Sequence, residues 1–91
     1  MDFKILDNKE EKRFEAHIEG ETAFMEYERG INKIIITHTE VPKELEGKGV
    51  GSTMVKQVLK KIEEKGLKVE PKCSFVAGYI ERHSEFKNLL A

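Results

Sequence analysis

The chain is poor in several things, and each shortage excludes a class of protein. Cys73 is the only cysteine among 91 residues, so no internal disulfide can form and a reducing, cytoplasmic setting is expected. The formal net charge is -1, from 16 basic and 17 acidic side chains. It lacks the clustered basic excess that marks nucleic-acid binders. The longest aliphatic run, Ile34-Ile35-Ile36, falls far short of the roughly 20 residues that a membrane span requires. The opening Met-Asp-Phe-Lys has no apolar h-region, and no signal peptide is expected. Tryptophan is absent, and the five phenylalanines and two tyrosines are scattered. Three histidines and one cysteine stand at separations that fit no metal site. Neither nucleic acid, nor membrane, nor a metal is expected.

What is present suits one compact domain over residues 1–91, with 38% hydrophobic and 36% charged residues. The first forty residues read as an antiparallel meander. Phe3–Leu6 is a weak first strand. In the second, Phe14, Ala16 and Ile18 alternate with Glu15, His17 and Glu19, which is period two with one buried face. Ala23, Met25 and Tyr27 share a face of the third strand, and Ile34, Ile36 and His38 share a face of the fourth. Glycines at 20 and 30 serve the hairpin joints.

The period then changes. Val55, Val58, Leu59 and Ile62 fall at i, i+3, i+4 and i+7, a helical stripe that Gly66 ends as a C-terminal cap. The run "LKVEPKCSF" reads as a strand with an edge, bulge or end at Pro71. The tail reads as one or two short helices. A strand, a helix and a strand joined by a right-handed crossover give one parallel pairing in an otherwise antiparallel sheet. The fold class is α+β, a meander followed by one β-α-β unit and a C-terminal helix. Such a sheet keeps an open edge, and a monomer or weak homodimer is expected.

Between meander and helix lies "LEGKGVGSTM", with glycines at 47, 49 and 51. It is not a P-loop, because Lys48 comes too early and Gly49 follows it. It is not a dinucleotide fingerprint, because Met54 stands where the third glycine belongs. The physics common to both motifs still applies. A glycine turn at a helix start presents unpaired N–H groups and partial positive charge to one point. A tight turn without a ligand is the other reading.

The stretch "THTEVPKELEGKGVGSTMVKQVLKKIEEKGLKVEPKCSFVAGYIERH" resembles the small single-domain branch of the GNAT-superfamily acyltransferases. There a loop of the form Gln/Arg-x-x-Gly-x-Gly/Ala holds the pyrophosphate of coenzyme A. The match runs from Glu46 through Gly49 to Gly51, and departs at Glu46, where Gln or Arg is usual. The resemblance implies N-acetyl transfer from acetyl-CoA, as co-substrate, to an amine or protein lysine. It places the pyrophosphate on the amides of Gly47, Lys48, Gly49, Val50, Gly51 and Ser52. It runs the pantetheine arm along Thr39, Glu40 and Val41, where two central strands splay. A CoA-binding module with little catalysis is the alternative, since the chain is shorter than typical members.

Three residues are candidates for the chemistry. By residue type alone Cys73 is a small buried hydrophobe; the resemblance sets it beside the thioester, where small relatives also carry a cysteine. A thiolate there accepts the acetyl group and passes it on, or the amine attacks directly. Tyr79 falls where many relatives place the tyrosine that protonates the departing thiolate, and equally suits an aromatic that packs the helix. His38 ends a strand beside the groove, as a base for the amine or as a structural residue. Of the lysines at 43, 48, 56 and 60, one or two are expected on the 3′-phosphate, the rest on a solvated face.

Overall fold

The computed structural model describes residues 3–91; Met1 and Asp2, read above for a leader, lie outside them. Strands β1 (Leu6–Asn8), β2 (Arg13–Ile18), β3 (Glu21–Gly30) and β4 (Lys33–Glu40) come first. A 3₁₀ turn at Lys43–Leu45 leads to helix α1 (Val50–Glu64). Strand β5 (Lys68–Pro71), helix α2 (Ser74–Arg82) and a 3₁₀ segment (Ser84–Leu89) complete the order. The sheet runs β1-β2-β3-β4-β5, antiparallel except where β4 meets β5. This is the expected α+β architecture. No helix among the described residues is long and apolar enough to cross a membrane.

Local chemistry accounts for the elements. The turn between β2 and β3 holds Glu19 and Gly20, both at positive φ, the backbone of a type I′ hairpin. Buried strand residues Phe14, Ala16, Ala23, Met25, Tyr27, Ile34, Ile36 and Val69 meet Met54, Val55, Val58, Leu59 and Ile62 of α1 in one core. Val76 and Ile80 of α2 join it. Each such buried aliphatic stabilises the fold by about 1.5–3 kcal/mol relative to exposure. Leu59→Ala, at a fully buried position, therefore costs about 2–5 kcal/mol.

Three expectations need correction. The first strand starts at Leu6, not Phe3, because pairing with β2 begins only at Leu6 opposite Glu15. Glu15, placed on the polar side, is only 6% exposed, and its carboxylate is satisfied by Arg13 at 2.5 Å, Asn8 at 2.9 Å and His17 at 3.2 Å. The strand through "LKVEPKCSF" ends at Pro71; Ser74 and Phe75 already belong to α2. The carbonyl of Ile36 accepts from the amides of both Lys72, at 2.9 Å, and Cys73, at 3.2 Å. That double acceptance closes the ladder and turns the chain out of the sheet.

Candidate functional site

The split between β4 and β5 creates the site. Their pairing runs from Lys33 opposite Lys68 to Ile36 opposite Pro71 and stops there. Beyond Ile36, β4 continues to Glu40 and pairs only with β3 among the described residues. Its other edge faces the gap toward α2 and has no strand partner among the described residues, which leaves room for an extended ligand to pair there.

A bulge sets which side chains enter that gap. Tyr27 pairs with Ile36 but Glu26 pairs with His38, so Thr37 is an extra residue in β4. Extra residues bend a strand and shift the alternation of its faces. His38, expected beside Ile34 and Ile36, is thereby turned to the solvent face, where it hydrogen-bonds to Glu40 at 2.9 Å. Thr39, opposite buried Met25, takes the inner face instead. Its hydroxyl accepts from the Cys73 thiol at 3.4 Å.

Cys73 is the N-cap residue of α2 and is half-buried. Burial pushes its thiol up. The hydroxyl of Thr39, the amides of Val76 and Phe75 and that of Thr39 outweigh it and hold the thiol below its ordinary value. A helix N-terminus favours an anion in the same way.

At the other end of the gap stands the glycine loop. Gly47 and Gly49 have φ of 79° and 75°, backbone that costs a side-chain-bearing residue about 1–2 kcal/mol. Gly49 is the N-cap of α1, with no side-chain cap and no acid in the first turn. Among the described residues the first amides of α1 have no side-chain cap, and they border a cleft of about 240 Å³ bounded by Val41, Glu46, Gly47, Gly51 and Phe75. Gly51 differs from the other two. It has ordinary helical backbone, but a Cβ there would stand 2.8 Å from Cζ of Phe75.

The remaining candidates are dispersed. Lys48 reaches across to Glu19 of the β2–β3 turn at 2.7 Å, while Lys43, Lys56 and Lys60 are exposed. Glu40 lies on the solvent face with His38; Val41 lines the cleft. Tyr79 is 4% exposed and stacks on His83 with ring centroids 3.8 Å apart, with Phe86 beyond. Burial, and then the charge of Glu85, push its phenol up. Neither His38 nor Tyr79 hydrogen-bonds to Cys73 among the described residues. A larger, open depression of about 480 Å³, lined by Glu11, Glu26, Glu28 and Arg29, shares no residue with the glycine cleft. Phe75 and the bulge at Thr37 escaped sequence reading. The only signal for Phe75 was a large apolar residue two positions after Cys73.

A model of the GCN5-related N-acetyl-transferase family matches residues 13–89. The chain also superposes on the solution structure of a GCN5-like candidate N-acetyltransferase from Staphylococcus aureus with a TM-score of 0.74 and 28% identity. That alignment covers 97% of this chain and 87% of the other. No curated protein sequence matches significantly.

Proposed function

The chain belongs to the GCN5-related N-acetyl-transferase family, and from that premise we propose that it binds acetyl-CoA across the β4–β5 split and transfers the acetyl group to an amine. The observation that carries this reading is the split itself. It leaves the Thr37–Glu40 edge of β4 open between uncapped amides at one end and a thiol held below its ordinary pKa at the other.

Acetyl-CoA supplies the acyl thioester when bound. The amides of residues 47–52 hold the pyrophosphate, and the free edge of Thr39, Glu40 and Val41 pairs with the pantetheine arm. Cys73 gives up its proton, and its sulfur attacks the thioester carbonyl. A new S–C bond forms at Cys73 as the bond to the CoA sulfur breaks, and that sulfur leaves as the thiolate and takes up a proton. The acceptor amine, having lost its ammonium proton, then attacks acetyl-Cys73, and the Cys73 thiol is regenerated. His38, turned with Glu40 to the outer face of β4, is not aimed at the Thr39–Cys73 contact, and the ammonium proton passes to solvent.

Calorimetric titration with acetyl-CoA tests the binding; no heat with millimolar ligand overturns it. Intact mass after incubation tests the covalent route. One acetyl adduct is expected, and none in Cys73→Ala. Turnover by a wild type that never acquires the adduct would refute that route and leave direct attack. A second reading, a CoA-binding module with little turnover, is favoured by the lack of a hydrogen bond between Cys73 and either His38 or Tyr79. Release of free CoA in the presence of a panel of amines and lysine peptides decides between the two.

A further inference from the structure

Phe75 is an anomaly in the packing. It is 41% exposed although it sits on the first turn of α2, and its ring does not turn inward with Val76 and Ile80. It reaches back across the cleft and lies on the first turn of α1. A Cβ on Gly51 would meet its Cζ at 2.8 Å and its Cε2 at 3.2 Å, with Cγ2 of Val41 at 3.5 Å. The ring, carried by the start of α2, therefore lies against the start of α1 at Gly51, and Val41, just after β4, lines the same cleft. Gly51 is the seat that permits this, since its backbone conformation would suit any residue.

The order of surfaces is informative. The glycine loop, Val41, Val50 and Phe75 line the cleft, and the Cys73 thiol meets Thr39, two residues before Val41, outside that lining. A ligand matching that order has an anionic end, an uncharged chain of methylenes and amides, and a reactive end. We propose that Phe75 is a specificity-determining residue whose ring packs on the pantetheine arm, so that the cleft prefers pantetheine-bearing ligands over the bare nucleotide. The proposal rests on the acyl-CoA reading above. In this arrangement the phosphates sit on the loop amides and the arm, running on toward Cys73, passes against the ring. Apolar contact of this kind stabilises in proportion to the area removed from water.

The test compares wild type, Phe75→Ala, Phe75→Leu and Gly51→Ala in calorimetric binding of acetyl-CoA, with adenosine 3′,5′-bisphosphate read by competition. Phe75→Ala is expected to weaken acetyl-CoA about tenfold, or about 1.4 kcal/mol, and to leave the bisphosphate unchanged. Phe75→Leu, which restores apolar bulk, recovers most of that loss, and Gly51→Ala, which displaces the ring, reproduces it. Unaltered acetyl-CoA affinity in Phe75→Ala overturns the proposal alone, as does a parallel loss of both ligands. A wild type that does not bind acetyl-CoA, or a bisphosphate that never competes, overturns the acyl-CoA reading and this proposal with it.

Discussion

Gly49 and Gly51 are two residues apart and are not interchangeable with each other. At Gly49 nothing lies within 4 Å of the place a Cβ would take, but φ is +75°, so Gly49→Ala carries a conformational cost of about 1–2 kcal/mol. At Gly51 the backbone is helical, and alanine gains about 1 kcal/mol of helix propensity, against which stands the displacement of Phe75. Denaturant midpoints should therefore fall for Gly49→Ala and hold or rise for Gly51→Ala; equal losses would contradict this division of roles. Thr39 permits a second prediction at the same scale. Its hydroxyl helps hold the Cys73 thiol below the ordinary 9.0, so the thiolate fraction, and with it the rate of acetyl-Cys73 formation, rises with pH through that lowered value. Thr39→Val removes the hydroxyl, and the rise should move to higher pH; a pH–rate profile that stays in place removes Thr39 from the mechanism. Glu46 lines the same cleft as the uncapped amides and sets a carboxylate near the proposed pyrophosphate. Glu46→Gln should tighten acetyl-CoA several-fold at low salt, with the gain shrinking as salt screens it.

Among the elements, strand β4 shows how much of the fold and site was legible in the sequence. Period two correctly buried Ile34 and Ile36, and the helical stripe correctly buried Val55, Val58, Leu59 and Ile62. Those patterns record burial, and burial is written residue by residue. The bulge at Thr37 is not written that way, because an extra residue shows only against its partner strand, here as Glu26 opposite His38 and Tyr27 opposite Ile36. Period two alone therefore puts His38 on the wrong face and values Thr39 for its backbone only. The glycine loop was legible as an anion cradle or a bare turn, but the separate task of Gly51 depends on the ring of Phe75, far along the chain. The bulge also carries a prediction. Deleting Thr37 leaves His38 opposite Glu26 and Thr39 opposite Met25 but removes the bend where the open edge of β4 begins. The variant should retain its thermal midpoint within a few degrees yet lose acetyl-CoA binding; binding that survives the deletion would separate the split from the bulge.

For the whole molecule, acid and ligand act on the same equilibrium from opposite directions. Arg13 holds the Glu15 carboxyl below its ordinary 4.5, with Asn8 helping, and Lys33 holds Glu70 below the same value. A carboxyl depressed in the folded state contributes stability above the unfolded pKa and loses it as pH falls through the folded one. Stability should hold above about pH 4.5 and decline below it, and Glu15→Gln should flatten the decline. A bound acyl-CoA works the other way. The proposed site lies where β4, α1 and α2 meet, so that its ligand grips all three and has no comparable site on the unfolded chain. Anything that binds only the folded state at about 100 times its dissociation constant stabilises by about 2.7 kcal/mol. For a chain of this size that corresponds to a midpoint about 10–20 °C higher. Acetyl-CoA should give that shift in thermal unfolding, rising with the logarithm of its concentration. Gly49→Ala, which strains the loop that holds the phosphates, should reduce the shift as well as the unliganded midpoint. A midpoint indifferent to acetyl-CoA up to millimolar concentration would mean that the split between β4 and β5 is a feature of the fold alone.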